Sequence, residues 1–155
     1  MILYLLRHGE AVQNAGDSER VLTANGFEET RRMAAYFKNK MEMPLAVYHS
    51  PKIRTTQTAE CFTQGIGFDG ELQVNTDLAP DQEVDDIYTF CQTLKENTLL
   101  VGHFPILPAL STSLINGGIT HPVLIHETSG LVGLRQTSPG DWHLLFSISP
   151  RFLED

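Results

Sequence analysis

Arg7, His8, Arg54 and His103 are the residues of this chain whose types and settings could do chemistry together. Arg7-His8-Gly9 ends the apolar run Ile2–Leu6. Ser50-Pro51 opens the stretch that carries Arg54, and Gly102-His103 follows Thr98–Val101. Guanidinium forks match phosphate oxygens in geometry and charge. Two of them, with a protonated histidine, form a cradle for a tetrahedral dianion. A neutral imidazole in the cradle can attack phosphorus and hold the phosphoryl group covalently, which splits one hard step into two. Neighbouring cations disfavour imidazolium, so His8 is expected to stay neutral until the substrate's charge arrives. In the transition state the same cations stabilise charge on the equatorial oxygens. Helix N-termini after Ser50 and His103 would add N–H groups, and the glycines beside both histidines let a ligand come close.

This chemistry calls for no cofactor and no metal, and the scattered histidines lack the carboxylates that a zinc site would need. Taken singly, each residue has an ordinary reading. A histidine after a strand is most often structural, and Arg7 and Arg54 could be solvated charges. Their shared placement at the ends of predicted strands is what sets them apart. His49, His121, His126 and His143 are read as structural or surface residues.

The elements that must position them follow from periodicity. Ile2–Leu6 suits a strand buried on both faces, as in a parallel sheet. Thr23 reads as an N-cap, with Leu22 and Phe27 as a hydrophobic staple. Phe27, Arg31, Ala34, Phe37 and Met41 predict a helix over about 24–40. Leu45–Tyr48 is a second strand. Ser50 as N-cap and Pro51 at the first helical position start a helix with Ile53, Thr56, Ala59 and Phe62 on its apolar side. Residues 65–70 read as a loop, 72–74 as a short strand and 78–81 as a loop. Val84, Ile87, Tyr88, Cys91 and Leu94 mark a helix, 98–101 a strand, and 105–116 a helix ended by Gly117-Gly118. Residues 130–135 and 142–148 read as two strands around a Pro139-Gly140-Asp141 turn. This order predicts a three-layer α/β/α sandwich with a mainly parallel sheet and an antiparallel edge. Ligands of such sheets sit at the carboxyl ends of the strands.

The length of 155 residues predicts a single domain over 1–155 with a core of its own. A composition of 41% hydrophobic and 19% charged residues is that of a folded chain. The net charge of −8 argues against nucleic acid or an anionic membrane as partner. The opening apolar run stops at Arg7, too short for a leader or a span, which predicts a cytoplasmic protein. Cys61 and Cys91 lack CxxC spacing and sit in apolar helical patterns, so they are expected to be reduced thiols.

Leu6-Arg7-His8-Gly9-Glu10 resembles the signature of the histidine phosphatase superfamily, the phosphoglycerate-mutase-like fold. Residues 50–59, from Ser50-Pro51 through Arg54 to Ala59, resemble its second motif, and Val101-Gly102-His103 its third. Leu22-Thr23-Ala24-Asn25-Gly26 matches the helix entry between the first two. The resemblance spans residues 2–105 in the right order. It implies that His8 is the phosphorylated nucleophile and that Arg7, Arg54 and His103 bind the phosphoryl group. Asn14 falls where several members place an asparagine near the phosphate.

Larger members insert segments over the pocket between the second motif and the last histidine. Here only the 48 residues 55–102 lie there, which predicts a shallow, open pocket. In this the chain resembles the short SixA-type phosphohistidine phosphatases, as does Leu78-Ala79-Pro80 before a helix. The implied substrate is phosphohistidine on a partner protein such as a histidine-containing phosphotransfer domain. Alternatives are a small phosphate ester, or a silent module that only binds phosphate or a phosphoprotein. Glu10 is the leading candidate for a general acid, with Asp81 and Glu83 behind it. A small domain of this kind could act as a monomer.

Overall fold

The opening apolar run becomes strand β1 (Ile2–Arg7), the core of a six-stranded sheet. The computed structural model describes residues 1–118 and 121–153. Along the chain come α1 (Ala24–Phe37), β2 (Ala46–His49), α2 (Ile53–Ile66), β3 (Leu72–Val74), α3 (Val84–Thr93), β4 (Thr98–Gly102), α4 (Ile106–Asn116), β5 (Leu131–Ser138) and β6 (Asp141–Ile148). The strand order is β3-β2-β4-β1-β5-β6. The first four run parallel, and β5 and β6 close the sheet as an antiparallel pair. This is the predicted α/β sandwich.

Alternation along β1 divides the core in two. Leu3 and Leu5 join Ile87, Cys91, Leu107 and Leu110 of α3 and α4. Ile2, Tyr4 and Leu6 face the other way, onto Met33, Ala34 and Phe37 of α1 and Ala59, Phe62 and Ile66 of α2. A strand covered on both faces has no room for polar side chains until it leaves the layers. Burial of each large apolar side chain contributes roughly 1.5–3 kcal/mol.

Several boundaries differ from the sequence reading. Thr23 caps α1 through a bond from the Gly26 N–H at 3.0 Å, as expected, but the helix ends at Phe37. There the chain tightens into a turn, with the Lys40 and Met41 N–H groups both on the Phe37 carbonyl. Its buried face is Thr30, Met33, Ala34 and Phe37. Phe27 and Arg31 instead stack together outside, 5.6 Å apart. Helix α2 starts at Ile53, later than the Ser50-Pro51 signal suggests, and Ile53 is exposed. The Ser50 hydroxyl still accepts from the Lys52 N–H, but it is committed to a histidine described below. The helix also runs through Gly65 to Ile66, into the expected loop. Gly67, at φ 83°, supplies the left-handed residue that ends it. Cys91 is buried and Cys61 half-buried, both as free thiols. No helix among the described residues is long and apolar enough to cross a membrane.

Gly65 lets α1 and α2 pack closely: a Cβ there would fall on the Ala34 methyl. Helix propensity alone predicts that Gly65→Ala stabilises by up to ~1 kcal/mol. Overpacking of this contact predicts the opposite, a loss of about 1–3 kcal/mol. Urea unfolding of the two proteins should show a lower midpoint for Gly65→Ala.

Candidate active site

Strand register brings the site together. Arg7 lies opposite Gly102, and Leu6 and His49 both lie opposite Val101. The next residues of β1, β2 and β4 therefore emerge side by side as His8, Ser50 and His103. The chain after β1 turns to the α1 face, whereas the chain after β4 turns to the α4 face. Such a divergence between neighbouring strands opens a crevice at their carboxyl ends. The two histidine rings meet in it, with centroids 5.2 Å apart and planes at 57°.

His8 is buried, and its Nδ1 lies 2.7 Å from the Gly9 carbonyl oxygen. A carbonyl can only accept, so Nδ1 carries the proton and Nε2 keeps its lone pair. Burial pushes the imidazole down to about 4, with the Arg54, Arg7 and Arg20 cations adding to the effect and the Gly9 bond opposing it. The sequence reading credited the cations alone; desolvation is the larger cause. The backbone here is clamped. The His8 N–H donates to the Gly102 carbonyl at 3.0 Å, and the Gly9 N–H donates to the Thr58 hydroxyl at 3.0 Å. The Ser129 N–H reaches the carbonyls of Arg7 and His8 at 3.1 and 3.2 Å. Ser129 does this at φ 58°, a conformation that costs a non-glycine residue about 1–3 kcal/mol.

His103 is almost fully buried, and its Nε2 lies 2.6 Å from the Ser50 hydroxyl. That hydroxyl already accepts from the Lys52 N–H. The Thr55 hydroxyl beside it has backbone carbonyls to donate to, Lys52 at 2.7 Å and Ser50 at 2.9 Å. We assign the Ser50 hydrogen to Nε2, at 2.6 Å, over the Thr55 hydroxyl at 3.1 Å, which places the His103 proton on Nδ1. Nδ1 is buried with no protein partner, a donor held ready for an anion. Burial, then His8 and the Arg54 cation, push His103 down to about 3. His103 is thus neutral where a protonated histidine was expected.

The arginines come in from both sides. Arg7 Nη1 donates to the His126 carbonyl at 2.9 Å, and its guanidinium lies 5.8 Å from the exposed Phe104 ring. Arg54 is buried, and its Nη1 and Nη2 contact the Asp17 carbonyl and carboxylate at 2.8 and 3.1 Å. Lys52 Nζ reaches the same carboxylate at 2.9 Å. The Nε atoms of Arg7 and Arg54 are buried without partners. Burial lowers both guanidinium groups from their ordinary value, yet arginine stays charged in proteins.

Sequence reasoning missed five contributors: Arg20, Asp17, Lys52, Ser129 and the His126 carbonyl. Lys52 lies within the second motif and could have been found there; the others sit in loops that carry no local signal. The short 3₁₀ turn Asp17–Glu19 also lies over Arg54. The pocket was expected to be open because the later insertion is short; the earlier loop reaches Arg54 through Asp17.

The other candidates have local surroundings of their own. The Glu10 carboxylate sits on the start of α1, accepting from the Thr23 hydroxyl at 2.7 Å and the Asn25 amide at 3.3 Å. Asn14 is exposed in the bend before Asp17. Asp81 accepts from the Gln82 amide. Glu83 stands at the N-cap of α3, in a groove shared with Pro105 and Ile106. His49 is buried with Nδ1 on the Ser50 carbonyl, His126 is buried against Ser111, and His121 and His143 are exposed.

Comparison with known proteins agrees with this geometry. The profile of the histidine phosphatase superfamily (branch 1) matches residues 3–79. Phosphohistidine phosphatase SixA of Escherichia coli (strain K12) is 28% identical over 155 residues, covering 97% of this chain and 94% of the relative. The solved structure of the protein histidine phosphatase SixA with tungstate superposes with a TM-score of 0.92 at 28% identity, over 99% of this chain and 100% of that one. A phosphoserine phosphatase variant from Entamoeba histolytica shares the fold at a TM-score of 0.73 and 16% identity, covering 99% of each chain. The matched stretch holds Arg7, His8 and Arg54, the sheet carries His103 to meet them, and over residues 3–79 the chain is similar to the histidine phosphatase superfamily.

Proposed function

We propose that this protein is a phosphatase that works through a phosphohistidine on His8, without a metal, and that its substrate is phosphohistidine on a partner protein. One observation carries the mechanism: His8 Nδ1–H is bonded to the Gly9 carbonyl, so Nε2 keeps its lone pair within the field of Arg54 and Arg7. The kinship with a phosphohistidine phosphatase of nearly equal length supports the substrate.

Arg7, Arg54 and the His103 Nδ1–H hold the phosphoryl oxygens. His8 Nε2 forms a bond to phosphorus while the P–N bond of the substrate breaks, and its electron pair leaves on the substrate imidazole. That nitrogen is protonated from solvent; the Glu10 carboxylate has partners of its own on α1. Water then forms the new O–P bond, the P–Nε2 bond breaks, and phosphate leaves with His8 regenerated. The first step exchanges one P–N bond for another and is close to balanced, which suits a site without a dedicated acid. Transfer from an alkoxide ester would need stronger protonation of its leaving group.

Trapping tests the intermediate. Labelled substrate should leave an acid-labile, base-stable phosphoryl group on the wild type and none on His8→Ala. Hydrolysis should fall by about 10³-fold or more in that variant. Undiminished turnover by His8→Ala would refute the mechanism. A panel tests the substrate: kcat/KM for a phosphorylated phosphotransfer domain should exceed that for sugar or nucleoside phosphates, and the reverse order would favour the small esters.

The pH dependence follows from His8. Its folded value of about 4 lies below the ordinary 6.5, so Nε2 is unprotonated from neutral pH down to about pH 5. The acid limb of kcat/KM should fall near pH 4 and not near 6.5. Stability follows the same sign. His8, His103 and His126, lowered to about 4, 3 and 4, bind fewer protons folded than unfolded. Their contribution is intact above pH 6.5 and is lost as pH falls from there toward 3. The melting temperature should decline over that window.

A further inference from the structure

Two cations of the phosphoryl site already hold an anion that belongs to the protein. Asp17 contacts both terminal nitrogens of Arg54, through its carbonyl at 2.8 Å and its carboxylate at 3.1 Å. Its second oxygen is 2.9 Å from Lys52 Nζ. This carboxylate is placed where a phosphoryl oxygen bound to Arg54 would be. It is also more than half exposed, on a three-residue turn, whereas the Arg54 side chain is only 4% exposed. The arginine is thus the fixed partner and Asp17 the one able to leave.

We propose that Asp17 is a specificity-determining residue: an internal competitor that occupies Arg54 until a dianionic phosphoryl group displaces it. The proposal rests on the phosphoryl site described above, though not on the identity of the leaving group. A ligand must exchange its own attraction to Arg54 for that of the Asp17 carboxylate. A carboxylate ligand exchanges like for like, and the exchange gains it nothing. A phosphoryl dianion brings a second charge and a third oxygen, which the His103 Nδ1–H and the Arg7 and Arg54 Nε–H groups, all buried without protein partners, are free to receive. The competitor therefore rejects the aspartate and glutamate side chains that crowd protein surfaces and admits phosphoryl groups. Once displaced, Asp17 keeps Lys52 as a partner, so its charge stays compensated.

The test is Asp17→Asn, which keeps size and removes charge at an exposed position. Inhibition by vanadate, inorganic phosphate and acetate is measured for wild type and variant, using a small aryl phosphate as reporter; calorimetric binding of phosphate serves as a readout that needs no turnover. Phosphate and vanadate should bind about two- to tenfold more tightly to Asp17→Asn, in keeping with loss of a partly exposed ion pair. Acetate, relieved of the same competitor, should gain by a similar factor and begin to inhibit at concentrations that leave the wild type unaffected. Weaker phosphate binding by the variant would show that Asp17 positions Arg54 and would overturn the proposal. Equal affinities for all three anions would show an ineffective contact and would overturn it too. Calorimetry separates this outcome from failure of the mechanism, since phosphate binding does not require a phosphorylated His8.

Discussion

The parallel ladder of β1 and β4, ending in the bond from the His8 N–H to the Gly102 carbonyl, fixes the level at which the two strands release their last residues. Side chains alternate along a strand, so a slip of one residue would exchange the two faces of β1 and turn Leu6 into the α3–α4 layer, away from α1 and α2. The hydrophobic pattern of β1 makes such a slip costly, because Ile2, Tyr4 and Leu6 fill one core and Leu3 and Leu5 the other. The catalytic register is thus enforced by burial of apolar residues that never touch a ligand. The same register places Ser50, His8 and His103 on neighbouring strands without any special loop.

Concentrating positive charge in a chain of net charge −8 creates a second requirement. Arg54 is buried, and buried cations need partners. The protein meets this need with groups that a ligand can replace or join: the Asp17 carboxylate on Arg54 and the His126 carbonyl on Arg7. The two histidines contribute no charge at rest, since burial holds both neutral. The cradle is therefore cationic through its arginines and lysine. In the proposed mechanism neutral His8 is the nucleophile and neutral His103 a donor.

Much of the fold could be read from the sequence because its signals are strong and local. A strand buried on both faces shows as an unbroken apolar run, and Thr23 shows as a cap. The errors have physical causes. Ser50-Pro51 looks like a helix start, but the serine hydroxyl is drawn to His103, which a one-dimensional pattern cannot show. Gly65 looks like a loop residue, but it is a glycine because α1 approaches too closely for a side chain. Arg31 has the spacing of the buried face, yet packing on α2 selects Met33 and Ala34.

By itself the sequence determined the chemistry: which residues carry charge, which imidazoles follow strands, and that Arg7, His8, Arg54 and His103 form one set. These are properties of residue type and of motifs held within a few positions. The tertiary structure decided how each group is poised. The lone pair of His8 is placed by a carbonyl, the proton of His103 by a hydroxyl 53 residues away, and the occupant of Arg54 by a loop 37 residues away. Protonation state, tautomer and competition for a cation depend on burial and on distances between remote segments, and those exist only once the sheet has brought the strands together.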